Sequence, residues 1–154
     1  MRFGVDEAGK GPVLGSMFAA AVLADPADVP DGVADSKRLS PVRRDELAAA
    51  LREHERVRIG VAEITPAEID DPETDMNTLT VAAQARALGQ VAVDGHAGLL
   101  DAGDTNEDRF AARVVTRLDA DVDLAARHGA DDSDDLVAAA SVVAKVARDD
   151  HVAD

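Results

Sequence analysis

The chain contains no cysteine, no tryptophan and no tyrosine, and aromatic residues make up 2% of it. Without cysteine, disulfides and thiolate metal sites are excluded. With Phe3, Phe18 and Phe110 as the large pieces, the core has to be built from alanine, valine and leucine. No apolar run reaches the roughly 18 residues that a membrane span needs. The first motif begins within a few residues of Met1 with no apolar leader before it, so a cytoplasmic protein without a membrane partner is expected. Hydrophobic residues at 46% of 154 exclude a disordered chain and suffice for one domain with a real core, spanning 1–154.

Lysine is also scarce. Acidic residues number 31 against 16 basic ones, of which Lys10, Lys37 and Lys145 are the lysines; the net charge is −15 and the pI about 4.4. Such a balance opposes binding to a polyanion, because nucleic-acid proteins usually carry a basic footprint. An ordinary acidic protein with no polyanionic partner is one reading. A saline cytosol is another: at about 1 M salt the Debye length falls to roughly 3 Å, and long-range repulsion largely vanishes. The three lysines favour the second reading, because each sits inside a candidate motif: Gly9-Lys10-Gly11, Asp35-Ser36-Lys37 and Ala144-Lys145. Lysine is a compact point charge suited to phosphate.

What is present is concentrated in Asp6-Glu7-Ala8-Gly9-Lys10-Gly11-Pro12. Two adjacent carboxylates end a short apolar run, and carboxylates hold hard divalent cations. A Gly-Lys-Gly turn lets backbone N–H groups approach an anion closely. Acids at a strand end also serve as turn formers or partners of a helix N-terminus, but a metal site beside an anion cradle suits phosphate-ester chemistry.

The pattern along the chain predicts strands at 2–6, 13–23, 57–64, 98–101 and 121–124. It predicts helices at 40–54, 78–93, 106–118 and 136–147, with Ser40-Pro41 and Asn106 as helix starts and a helical turn at Thr65-Pro66. The fold class is α/β: a mixed five-stranded sheet with helices on both faces. Asp6 and Asp101 close strands and Asp131 opens the last helical region, so the pattern permits these acids to converge.

Two apparent motifs fail on inspection. Gly4-x-x-x-x-Gly9-Lys10 approaches a P-loop but has Gly11 where Ser or Thr is required, and Gly4 lies inside the predicted strand. Asp104-x-Asn106-x-Asp108 approaches a calcium loop but lacks its glycine and its final glutamate.

The segments Gly4 to Pro12, Asp35-Ser36-Lys37-Arg38-Leu39, Met76-Asn77-Thr78, Leu99-Leu100-Asp101-Ala102 with Arg109-Phe110, His128-Gly129-Ala130-Asp131 and Ala138 to Asp149 occur in this order. Together they resemble ribonuclease HII, the type 2 ribonucleases H. The resemblance implies an RNase H-like fold and hydrolysis of the RNA strand in RNA–DNA hybrids. It also implies cutting at ribonucleotides embedded in DNA, leaving 5′-phosphate and 3′-hydroxyl ends. It implies a site for two ions, Mn²⁺ or Mg²⁺, held by Asp6, Glu7, Asp101 and Asp131. Gly9, Lys10 and Gly11 would read the 2′-hydroxyl that separates RNA from DNA. Ser36, Lys37, Asn77, Ser141 and Lys145 would grip the substrate. Simpler readings stand beside these: a turn at Asp35-Ser36, a helix cap at Asn77, a buried hydroxyl at Ser141 and a snorkelling lysine at Lys145. His128 is a candidate proton shuttle, with a surface-loop histidine as the simpler reading.

The chain departs from the family pattern in two places. Gly129 stands where the family usually has lysine, and the sequence stops before the family's C-terminal helices with their junction-stacking tyrosine; a fragment is the expectation, with a changed reading of substrate as the alternative. Truncation is expected to weaken substrate grip and leave the four acids in place, and a monomer is expected. A catalytically weak hybrid-binding module is the alternative from another class. The type 3 enzymes carry an additional N-terminal domain, and a motif at residue 6 disfavours that type. If the charge balance is an adaptation to salt, thermal stability peaks at molar KCl or NaCl; a melting temperature highest in dilute buffer would refute it.

Overall fold

The structure, a computed structural model, describes residues 1–8 and 16–153, with the side chains of 35–37 and 151–153 left aside. Its centre is a five-stranded sheet in the order β3-β2-β1-β4-β5. The strands are β1 (Arg2–Ala8), β2 (Met17–Ala24), β3 (Arg58–Ile64), β4 (Ala97–Asp101) and β5 (Asp123–Arg127). β1 to β3 pair antiparallel, whereas β1, β4 and β5 run parallel, so the sheet is mixed as expected.

The helices are α1 (Pro41–Glu53), α2 (Pro66–Ile69), α3 (Met76–Gly89), α4 (Glu107–Val115) and α5 (Asp135–Ala153). Local chemistry sets their starts. Ser40 caps α1 by accepting from the Arg43 N–H, with Pro41 at the first helical position. Thr65 and Glu68 form a reciprocal capping box on α2. Asn106 caps α4 by accepting from Arg109. α3 begins at Met76 rather than Thr78, because Asp75 is its cap and accepts from Thr78. Asn77 is therefore not a cap; it sits exposed in the first turn. Asp134 accepts from the Leu136 and Val137 N–H groups and starts α5, and it also pairs with Arg2 at 2.6 Å.

α5, backed by α1, covers one face of the sheet, and α3 with α4 covers the other. Side chains alternate along each strand. Phe3 and Val5 therefore join the α3–α4 core with Leu88, Leu100 and Phe110. Ala8, Ala20 and Val22 face α5 with Leu136 and Val143. β2 is buried at every residue, as its run of apolar residues requires of a strand covered on both faces. At the edge of the sheet, the Gln90 side chain donates to the Val61 carbonyl and accepts from the Val61 N–H, closing part of the open rim of β3.

Gly4 fixes the approach of α5. A Cβ placed there would lie 2.3 Å from the backbone carbon of Leu136 and 2.3 Å from the nitrogen of Val137. The first turn of α5 thus rests on the bare backbone of β1, two residues before Asp6. Gly4 also pairs with Val22 and Leu99 inside the sheet, which removes it from any phosphate-binding loop. Gly4→Ala should displace α5 and cost about 1–3 kcal/mol; a denaturant midpoint equal to that of the wild type would show that the contact is not tight.

Candidate active site

β1 runs on through Ala8, so Asp6 and Glu7 lie within its last residues, and their side chains leave opposite faces of the sheet. Asp6 projects toward α5, flanked by Gly4 and Ala8. Val5 is paired with Leu100, so Asp101 occupies the next rung of β4, on the same face as Leu99. Asp131 lies in the 3₁₀ turn Ala130–Asp132 that precedes α5. Gly129 enters that turn at φ +64°, a left-handed conformation that glycine adopts without strain.

Carboxylate oxygens of Asp6, Asp101 and Asp131 lie within 4.8 Å of one another. Asp6 and Asp131 are buried and Asp101 is partly so. Burial, followed by the charges of Glu7 and Asp101, pushes the Asp6 carboxyl well above the ordinary range. Burial, followed by the charges of Glu7 and Asp131, pushes Asp101 up to about 7. Asp101 also hydrogen-bonds the backbone and the carboxyl of Asp131.

Glu7 is close enough to act on both aspartates, yet it is not one of the three whose oxygens converge. It comes from the α3 face, where the Gln84 amide donates to its Oε2 at 2.5 Å. The same nitrogen donates to the Asp101 carbonyl at 2.8 Å. Gln84 was not legible as a functional residue; its one signal is a polar side chain in the otherwise apolar run 81–85.

Lys145 is half-buried on α5 and feels the charges of Asp6 and Asp131, while burial pulls its ammonium below the ordinary value. Ser141 is buried one turn earlier. Ser36 and Lys37 fall in the 3₁₀ segment Val33–Arg38, which packs on α5 and touches the Ala130–Asp132 turn; their side chains lie outside the described residues. Gly9, Lys10 and Gly11 lie outside them entirely. Asn77 stands exposed on α3 and takes no part in the acid group. His128 is held at the surface: its N–H donates to Glu107 at 2.7 Å and its ring lies 3.3 Å from the same carboxylate, with Nε2 at the Asp104 carbonyl. That is the surface-loop reading. Asp104 belongs to no calcium loop: it takes two Arg109 nitrogens and the Asn106 N–H, which hold its carboxyl down at about 2.

The donor set fits a hard divalent cation. It offers only oxygen, it is clustered and largely buried, and its neighbouring charges make it costly to ionise without a cation. A mixed α/β sheet with aspartates converging at the ends of two parallel strands and at the foot of a crossing helix defines a class, the RNase H-like nucleases. The comparisons narrow it. The family model for ribonuclease HII matches residues 3–154. The chain is 71% identical over 151 residues to ribonuclease HII of Halobacterium salinarum, covering 98% of this chain and 70% of that protein. The ribonuclease H2 structure from Pyrococcus horikoshii superposes with a TM-score of 0.86 at 33% identity, covering 98% of this chain and 73% of that one. The ribonuclease HII of Archaeoglobus fulgidus, solved as a complex with PCNA, gives 0.87 at 32%, covering 99% and 74%.

The chain therefore belongs to the ribonuclease HII family. It is an endoribonuclease, a hydrolase that cleaves the RNA of RNA–DNA hybrids and cuts at ribonucleotides in DNA.

The raised aspartates set a pH dependence. A carboxyl with a folded pKa above its unfolded value binds more protons in the folded state, so stability falls as pH rises between the two values. For Asp101 that window runs from 3.8 to about 7. In EDTA the melting temperature should therefore fall as pH is raised from about 4.5 to 7.5, and saturating Mn²⁺ should abolish or reverse the slope. A metal-free melting temperature that rises through this window would contradict the cluster.

Proposed function

We propose that Asp6, Glu7, Asp101 and Asp131 together hold two divalent ions, Mn²⁺ or Mg²⁺, and that these four acids carry the hydrolysis. The observation behind this is the convergence of three largely buried carboxylates within 4.8 Å, with Glu7 beside them. A bound pair of such ions supplies charge neutralisation at the attacking and leaving oxygens of an in-line displacement. The chain's own part is positional. Two neighbouring parallel strands fix Asp6 and Asp101, and the turn before α5 brings Asp131 to them. The Lys145 ammonium, near Asp6 and Asp131, is placed to attract a scissile phosphate. The Gly9-Lys10-Gly11 segment, outside the described residues, would on this reading recognise the ribose hydroxyl through its backbone N–H groups. Ser36, Lys37, Asn77 and Ser141 complete the substrate contacts in this reading, and the products carry 5′-phosphate and 3′-hydroxyl ends.

A DNA duplex with one embedded ribonucleotide, incubated in Mn²⁺, tests the assignment. Asp6→Asn and Asp101→Asn should each lower kcat by at least about 10³-fold, since metal-ion stabilisation is worth several kcal/mol. Each should also raise the metal-free melting temperature by relieving repulsion. Cleavage by either variant at the wild-type rate would break the assignment. Tight hybrid binding with no cutting by the unaltered chain would instead identify a binding module.

A further inference from the structure

Gln84 has no accessible surface and lies on α3 among Val81, Ala82, Ala83 and Ala85. A primary amide is costly in such surroundings unless its hydrogen bonds are made. Here the nitrogen makes two, to Glu7 Oε2 and to the Asp101 carbonyl, while the buried Oε1 has no partner among the described residues. The orientation is forced: both partners are acceptors, and a flipped amide would set oxygen against oxygen. Leucine or methionine would fill the same space without stranding an oxygen. Packing therefore does not explain the amide, and its two acceptors do.

Both acceptors belong to the acid site. We propose that Gln84 is a positioning residue for that site: its amide fixes the Glu7 carboxylate across the end of β4 and pins the Asp101 backbone, so that both acids are set for cation binding before the cation arrives. This rests on the metal reading given above. Glu7 starts from the sheet face opposite Asp6, the face that carries α3 and Gln84; a long, rotamer-rich side chain needs a fixed partner to keep one position there. The partner's chemistry matters. Arginine or lysine would also hold Glu7, but its positive charge would compete with the cation. The amide donates a charge-assisted hydrogen bond and leaves the negative charge in place. Partners that orient metal-binding carboxylates typically change metal affinity about 10–100-fold when removed.

Calorimetric titration of Mn²⁺ into the metal-free protein is the test, with four chains: wild type, Gln84→Met, Glu7→Gln and the double variant. Gln84→Met should weaken Mn²⁺ binding about tenfold without lowering the metal-free melting temperature, because the replacement conserves volume in an apolar setting. In the Glu7→Gln background the same change should have a much smaller effect, since its principal acceptor is altered. Gln84→Leu, a strong helix former, provides the same comparison should the methionine variant fold poorly. Wild-type affinity in Gln84→Met, or a loss that multiplies in full with that of Glu7→Gln, would overturn the proposal. A wild-type chain that takes up no Mn²⁺ would overturn the metal reading and this proposal with it. Normal wild-type uptake beside an indifferent Gln84→Met would overturn this proposal alone.

Discussion

Three carboxylates whose oxygens lie within 4.8 Å, with a fourth beside them, repel one another when ionised, and burial adds to the cost of charge on Asp6 and Asp101. They meet because backbone elements with strong reasons of their own to be where they are carry them there. Asp6 and Asp101 are fixed by adjacent parallel strands whose hydrogen bonds do not depend on either side chain. Asp131 is fixed by a turn between β5 and α5, and α5 is seated on β1 through Gly4. Asp134, which caps α5 and pairs with Arg2 at the start of β1, ties the same two elements a second time. The fold thus stores repulsion that a cation can relieve.

The scarcity of large side chains serves the same end. A core rich in alanine lets elements approach closely, and close approach is what a site built from short aspartates requires. Ala19, Ala20, Ala21 and Ala24 on β2 and Ala138, Ala139, Ala140 and Ala144 on α5 are all buried. The two largest fully buried side chains, Phe3 and Phe110, both lie in the α3–α4 core. Small side chains contribute less apolar area each, so a compact seam at Gly4 matters more here than in a core with many aromatics.

Much of this was legible in the sequence. The strand and helix order and the caps at Ser40 and Asn106 follow from periodicity and capping chemistry acting locally; the pattern only permitted the acids at strand ends to converge, and their grouping was implied by the family resemblance. Boundaries failed where tertiary contacts decide them. β1 continues two residues past Asp6 because it pairs with β2 as far as Ala8–Phe18. β5 begins at Asp123, not 121, because its register is set by β4. α3 starts early because Asp75, unremarkable in a loop of acids, supplies the cap. Glu7 and Gln84 show the deeper limit. Strand alternation separates Glu7 from Asp6, and only the positions of β4 and α3 bring it back beside Asp101, through an amide 77 residues away. No local pattern encodes that contact.

The charge of the molecule and the charge of the site obey different rules. A net charge of −15 acts through the long-range field, which salt suppresses. Several relatives of this chain come from halophilic archaea. At short range the arrangement of cations decides. Arg2, Arg44, Arg56, Arg86, Arg109 and Arg148 are each engaged by acids within the protein, which leaves them little to offer a phosphate. Lys145 has no ion pair among the described residues and instead stands over the acid cluster, half-buried, where burial disfavours its charge and Asp6 and Asp131 favour it. Arginine, with its planar fork, suits fixed ion pairs, and lysine, a compact ammonium, suits a transient phosphate. On the proposed reading, a protein with few lysines meets a polyanion in high salt by keeping Lys145 close to the acids that carry the reaction.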